Sequence, residues 1–382
     1  MRDGILDVMG STVFALSIHA DYRCRHSGVC CSMDWDVPME LPIYRSLDEA
    51  MRQQRLRVAP GNESHHPFVV DPELPEDAAA IFQRTPRGTC VFFDDESRLC
   101  VVHRDLGETA LAATCRHFPR LAVHDARGTF ITLSHFCPTA AASLFRDDVP
   151  IAIVEGPPAF PPGDYDGLTI GAEEFPPLLH PRMLMDGDGY SAWERHMVGR
   201  CTDVTREPES ILATLARDAS VLGKWRPGGE SLAAAIARLP RDFVDATTSE
   251  TLEASLADHA AAMVAVPDDF RPEPDEAHLD EAYRALVRAA WPSFRAPLVR
   301  YVAAKAFASW TAYQGRGIAT IVRGLDAALG LVRVEAARQC RDGNRPLDRD
   351  LLLEAVRAAD FILNHLAVGD ELAAGWASAE TA

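Results

Sequence analysis

Residues 90–141 read CVFFDDESRLCVVHRDLGETALAATCRHFPRLAVHDARGTFITLSHFCPTAA, and residues 24–31 read CRHSGVCC. Between them these two stretches hold seven of the nine cysteines: Cys24, Cys30, Cys31, Cys90, Cys100, Cys115 and Cys137. Cys201 and Cys340 stand alone in the remaining 245 residues, inside helical patterns, and read as packing residues. Turns punctuate the cysteine-rich part. Cys90–Phe93 and Leu99–His103 flank Asp94-Asp95-Glu96-Ser97 and read as a hairpin with a cysteine at each end. Leu121–His124 and Thr129–His135 flank Ala126-Arg127-Gly128 and read as a second one. Residues 105–114 fit a short helix delivering Cys115, and Pro138 is placed to open a helix after Cys137. Ser46 and Glu49, in capping-box spacing, place another helix over 46–57.

Working outward, residues 149–189 contain eight prolines and six glycines, which reads as an extended surface connection. Beyond it, apolar residues recur at three- and four-residue intervals. Helices are expected around 190–201, 210–225, 230–239 and 249–266, and longer ones over 277–291, 296–313, 316–340 and 347–367. The expected class is α+β: a cysteine-rich, metal-binding domain with short hairpins at 1–148, a linker at 149–189, and a mostly helical domain at 190–382.

The chain has 382 residues and a formal charge of −18, split as −6 before residue 150 and −12 after it. Neither part offers the positive field that a phosphate backbone or an anionic membrane requires, so neither nucleic acid nor a membrane is expected as a partner. The first twenty residues carry Asp3, Asp7 and Gly10 and do not read as a signal peptide. No apolar run reaches the length of a membrane span. A cytoplasmic, bacterial-type protein is expected, in which thiols stay reduced unless a metal holds them.

Thiolates are soft ligands suited to zinc, copper(I) or iron–sulfur clusters. Structural zinc sites take two close pairs of cysteines, which this spacing lacks. Iron–sulfur ligation accepts scattered thiolates, so both metals stay open. A site closed from several distant turns would help fold a region with little core. His26, His103, His117 and His135 each lie within three residues of a cysteine and are candidates to complete a site.

Cys24-Arg25-His26-Ser27-Gly28-Val29-Cys30-Cys31 resembles the CxxCxxCC signature of the zinc- or iron-chelating cysteine-cluster family, with Ser27 where that pattern has its second cysteine. Leu106-Gly107-Glu108, Cys115, Phe118-Pro119-Arg120 and Cys137-Pro138 are similar to the flagellin lysine-N-methylase branch. The resemblance implies an iron–sulfur cluster or zinc held by Cys24, Cys30, Cys31, Cys90, Cys100, Cys115 and Cys137. It also implies methyl transfer from S-adenosylmethionine to a protein lysine, with flagellin as the candidate partner.

The residues themselves show no glycine-rich nucleotide turn. Ile151–Glu155 runs into Gly156-Pro157 and reads as a strand entering the linker. For proton removal from a lysine, Asp34, Asp36, Tyr44 and Glu108 are near the cysteines, and Glu108 lies inside the matched segment. Arg116 and Arg120 flank Cys115 and are candidates to bind a carboxylate or donate to cluster sulfurs. A carrier, a sensor or an interaction module is the alternative to an enzyme.

Overall fold

A computed structural model describes residues 12–33, 36–70, 74, 78–163, 165–171, 176–271 and 278–379. The class is α+β, with the helices concentrated in the C-terminal part. The chain divides into two compact units by interleaving. One comprises Met1–Tyr22, Ala122–Phe136 and Ala140–Ala382; the other comprises Arg23–Leu121 with Cys137–Thr139. The reason lies in strand pairing. Val13–Leu16 pairs in parallel with Gly128–Leu133 and antiparallel with Ile153–Glu155, drawing the N-terminal segment into the unit of the C-terminal helices.

The larger unit contains a five-stranded sheet in the order Gly167–Thr169, Arg120–Asp125, Gly128–Leu133, Val13–Leu16, Ile153–Glu155, of which Arg120 and Leu121 belong to the smaller unit. The hairpin expected around Ala126-Arg127-Gly128 is the centre of this sheet. The segment 149–189 is not a bare connection. It supplies both edge strands and a small antiparallel pair, Leu178–His180 with Met183–Leu184. Its prolines and glycines keep each strand to three residues or fewer.

Ile318–Gly343 is the axis of the helical part. It is buried on nearly all sides because the helices Pro208–Leu222, Glu253–Val264, Arg295–Ala306, Arg349–Phe361 and Gly369–Ala379 pack around it. Among the described residues, no helix is long and apolar enough to cross a membrane. Local chemistry sets several helix ends. Asp186, Ser231 and Asp348 accept hydrogen bonds from Gly189, Ala234 and Leu351 backbone N–H groups, and Pro208 opens its helix. The expected 277–291 helix is broken into Leu279–Ala282, a π-turn at Tyr283–Val287 and a 3-10 turn at Trp291–Phe294. The expected 296–313 helix stops at Ala306, because Ala308 takes a left-handed backbone at φ 52°.

The smaller unit is built from a three-stranded sheet, Pro38–Glu40, Ala78–Phe82 and Phe68–Val69 in that order, the hairpin Phe93–Asp94/Leu99–Cys100, and short helices. Its first long helix runs Leu41–Arg52, five residues earlier than the Ser46 cap implied. Pro42 in its first turn presets the helical backbone and leaves Ser46 in the interior. The second arm of the cysteine hairpin ends at Cys100, and Val101–Leu106 turns into helix. Gly107, at φ 86°, ends that helix, so Cys115 sits within a separate helix, Ala113–His117. This unit has a core of its own. Phe68, Phe82 and Phe92 meet with ring centroids 5.7–6.3 Å apart, and Tyr44 packs edge-on to Phe68.

One buried histidine gives a pH test of the helical packing. His259 is 5% exposed, 3.7 Å from Glu335, and burial followed by the Arg338 charge brings its pKa down to about 4. The unfolded value is about 6.5, so unfolding takes up a proton between these limits. The stability from the neutral ring is full above about pH 6.5 and is lost as pH falls toward 4, on the order of 3 kcal/mol in all. Urea titrations should show the wild type losing stability relative to His259→Gln across this window; parallel curves would contradict the assignment.

Candidate functional site

All seven predicted cysteine ligands lie in the smaller unit. Cys30 and Cys31 sit on the short helix Val29–Ser32, which follows Gly28 in a left-handed conformation (φ 76°, ψ 0°). A β-carbon on Gly28 would stand 2.5 Å from the Phe93 ring, so only glycine lets this turn close on the cysteine hairpin. Arg98 completes the clamp: its Nη2 donates to the Ser27 carbonyl at 3.1 Å, and its guanidinium lies 4.8 Å from the Phe93 ring centre. The Cys90 N–H donates to the Cys31 carbonyl at 2.8 Å, tying the two cysteine segments together.

The thiols form one interacting group. Cys30 Sγ is 3.9 Å from Cys31 Sγ. The Cys31 thiol also hydrogen-bonds Cys100, and this bond brings Cys100 down to about 7. The bond with Cys31 lowers Cys30, whereas the interactions with Cys100 and Cys30 push Cys31 well up. Burial pushes Cys90 up to about 12 and Cys115 well above the usual thiol range; both feel the charges of Cys30 and Cys100. Cys24 is exposed and raised by partial burial of its thiol; it feels Cys30 and Cys137 electrostatically, and Arg120 favours its thiolate. Cys137 is buried. Cys201 and Cys340, both fully buried in the other unit, are pushed up to about 12 and about 11 by burial, as packing residues would be.

Cys30, Cys31 and Cys100 therefore interact directly, and Cys90 and Cys115 lie near enough to feel their charge. Among the described residues, no three His, Cys, Asp or Glu side chains converge to hold a metal ion. The donor chemistry nonetheless suits one. With metal–sulfur bonds of about 2.3 Å, the edge of a tetrahedron is about 3.8 Å, close to the Cys30–Cys31 separation.

The flanking histidines divide. His26 and His103 face each other with ring centroids 5.8 Å apart, and His117 is buried beside Arg116. His135 belongs to the larger unit, where it is committed to Asp360. Glu108 is exposed at the start of a 3-10 turn. Arg116 donates toward His117 at 3.5 Å, and Arg120 donates to the Arg116 carbonyl at 3.0 Å. Asp36 is exposed, Tyr44 belongs to the aromatic core, and Asp34 lies outside the described residues. Ser27 Oγ accepts a long 3.5 Å contact from the Val29 N–H.

A second polar centre lies in the larger unit, at the ends of the parallel strands Val13–Leu16 and Gly128–Leu133. Asp360 is fully buried and accepts from Lys305 Nζ (2.5 Å), the Tyr301 hydroxyl (2.8 Å), the His135 N–H (2.6 Å) and His135 Nδ1 (3.2 Å). Burial opposes its ionisation, but the Lys305 charge and the His135 bonds override that and hold the carboxyl below its usual range. Burial lowers both His135 and His19, so both rings are neutral at pH 7. An ionised carboxylate only accepts, so the His135 proton is on Nδ1 and its Nε2 is bare. The 3.3 Å contact to His19 Nε2 then places the His19 proton on Nε2. That leaves His19 Nδ1 as a buried acceptor without a partner among the described residues. Ser134 and His365 pair at 2.8 Å beside it. Of this centre the sequence had pointed only to His135, and for another role; separations of 116 and 225 residues leave no local signal.

No protein-family model, no curated protein and no solved structure matches the chain.

Two substitutions test these centres. Gly28→Ala should cost about 1–2 kcal/mol in backbone strain alone and displace Phe93. It should lower the melting temperature and make the Cys30 and Cys31 thiols react faster with a disulfide reagent; unchanged thiol kinetics would contradict the clamp. Asp360→Asn should destabilise the protein by about 3–5 kcal/mol by stranding the Lys305 ammonium. Denaturant unfolding measures this, and a loss under about 1 kcal/mol would contradict it.

Proposed function

We propose that the smaller unit is a metal-binding thiolate centre, holding an iron–sulfur cluster or zinc. The observation that supports this reading is the meeting of two cysteine segments, Cys30 Sγ 3.9 Å from Cys31 Sγ and the Cys90 N–H bound to the Cys31 carbonyl at 2.8 Å, with Cys100 and Cys115 near enough to influence the same thiols. Five buried or half-buried thiols are more than packing asks for, and soft ligands gathered in this way suit zinc or iron. In this reading those five residues supply the ligands, with Cys24 and Cys137 adjoining. Binding a metal would deprotonate them, replacing the S–H hydrogen bonds of Cys31 by metal–sulfur bonds.

On this centre we place the activity that the resemblance implies: methyl transfer from S-adenosylmethionine to a protein lysine, with flagellin as candidate substrate. Its support is the matched segment Leu106-Gly107-Glu108 through Cys137-Pro138. The competing reading is a non-catalytic zinc or iron carrier, sensor or interaction module. Two observations favour it: Glu108 is exposed, away from any polar partner among the described residues, and Ile153–Glu155 leads into Gly156-Pro157 rather than a nucleotide-binding turn.

Protein purified without oxygen should contain iron with sulfide, and visible absorption, or else about one zinc per chain. Cys115→Ser should lower the metal content by at least half. Folded protein that stays metal-free after reconstitution with either metal would overturn the centre. Incubation with S-adenosylmethionine and flagellin, read by mass spectrometry, separates the enzyme from the module: a 14 Da gain on lysine supports the enzyme. A metal-loaded protein that transfers no methyl and gives no heat with the cofactor is the module. Ser27→Cys, if it alters metal content, would bring residue 27 into the coordination shell.

A further inference from the structure

A cleft of about 740 Å³ opens in the larger unit, between the short antiparallel pair Leu178–His180/Met183–Leu184 and the 3-10 turn Trp310–Tyr313. That size falls inside the range of about 300–1,000 Å³ typical of small-molecule sites. Ile170, Leu178, Met183, Leu184, Ala312 and the Tyr313 ring make its walls apolar, and Leu184 is left 47% exposed. The walls are held in place from behind. The Tyr313 hydroxyl donates to Asp125, its ring meets Tyr190 edge-on at 6.1 Å, and Asp125 is itself paired with Arg127. The chain then turns through Gly315 (φ 67°) and Gly317 (φ 98°) onto the strand pair. A β-carbon on Gly317 would stand 2.8 Å from the His180 α-carbon and 3.0 Å from the Leu179 carbonyl oxygen, so only glycine lets the two sides of the cleft meet this closely.

Two polar side chains line the same cleft. Arg182 sits at the tip of the strand pair, where its N–H donates to His180 Nδ1 at 3.3 Å; its guanidinium has no ion pair or hydrogen bond among the described residues. The Gln314 side-chain amide likewise has no hydrogen bond among the described residues. Arg127, Arg200 and Arg333 of the same unit are, by contrast, each tied to a carboxylate. An apolar trough with an uncommitted cation and amide at its edge selects among ligands. A sugar or nucleobase would lose hydration against aliphatic walls without gaining hydrogen bonds, and a cationic amphiphile would meet the guanidinium. A linear chain ending in a carboxylate suits both parts: the chain takes the apolar walls out of water, and the guanidinium fork matches the carboxylate. We propose that this cleft is a binding site for a linear aliphatic carboxylate, its chain in the trough and its head on Arg182 and Gln314. The site belongs to the larger unit and is independent of the metal centre proposed above.

Calorimetric titration of the full-length chain with dodecanoate, below its micelle concentration, tests this. One molecule should bind per chain. Decanoate, shorter by two methylenes, should bind roughly tenfold more weakly, and dodecylammonium about tenfold more weakly for want of the charge pair. Arg182→Gln should weaken dodecanoate about fivefold and leave dodecanol unchanged, whereas Leu184→Glu should weaken both. Both positions are exposed, and melting temperatures close to that of the wild type check that each variant keeps the fold. Absence of heat with dodecanoate would overturn the site. So would equal affinity for dodecanoate and dodecylammonium, or either variant binding dodecanoate as tightly as the wild type. Several molecules per chain, bound without regard to chain length, would be adsorption to the surface and would overturn it too.

Discussion

Cys31 is the residue on which the cysteine-rich unit closes. Its thiol lies 3.9 Å from the Cys30 sulfur and interacts with Cys100, and its carbonyl accepts from Cys90 and Arg84. Three segments far apart in sequence thus meet at one residue of a four-residue helix. That helix exists where it does because Gly28 accepts a left-handed backbone and leaves room for Phe93. The competition among these thiols for protons follows from the same geometry. Cys31 becomes harder to ionise, and Cys100 becomes easier. A soft cation would meet one sulfur already near its thiolate form and others that must lose protons on arrival.

The larger unit handles buried charge by neutralising it in place. Asp360 gathers Lys305, Tyr301 and His135. Arg127 bridges Asp125 and Glu194 while lying over the Phe130 and Tyr190 rings. Arg333 on the axial helix reaches Glu209 at 2.7 Å. Each is a carboxylate–cation contact within a helical or sheet core, where breaking one partner costs more than the pair gains. Of these contacts, Arg333–Glu209 ties two helices 124 residues apart, a pairing that apolar periodicity alone does not specify.

What the sequence made legible follows the range of the forces involved. Apolar periodicity located the axial helix at 316–340 against Ile318–Gly343, and the last long helix at 347–367 against Arg349–Phe361 with its π-turn to Leu366. Pro138 opens its helix as its ring geometry requires. The failures are tertiary. Ala308 and the π-turn at Tyr283–Val287 break helices whose pattern is uninterrupted. A parallel pairing between residues 13–16 and 128–133 overrides a proline-rich segment as the point of division, because the strand partner, and not the linker composition, decides which unit a segment joins. The seven cysteines were legible as a group from composition alone. The clamp of Gly28, Phe93 and Arg98, and the Arg84 bond to the Cys31 carbonyl, were not, since no spacing rule links them.

The aromatic core of the smaller unit changes what a metal would be for. A region with little core would depend on ligation to fold at all, as small zinc domains do. Here Phe68, Phe82, Phe92, Leu47 and Val101 are all buried in one cluster, so folding has an apolar driving force independent of the sulfurs. The thiols lie at the margin of that cluster, with Cys31 and Cys90 inside it and Cys30, Cys100 and Cys115 packed against it. In the reading proposed above, a metal bound there would add to a unit that has its own apolar core. Its gain or loss would then act on the segments that carry Cys24, Cys100 and Cys115, the end of the strand Leu99–Cys100 and the helix Ala113–His117 among them, rather than decide whether the unit folds.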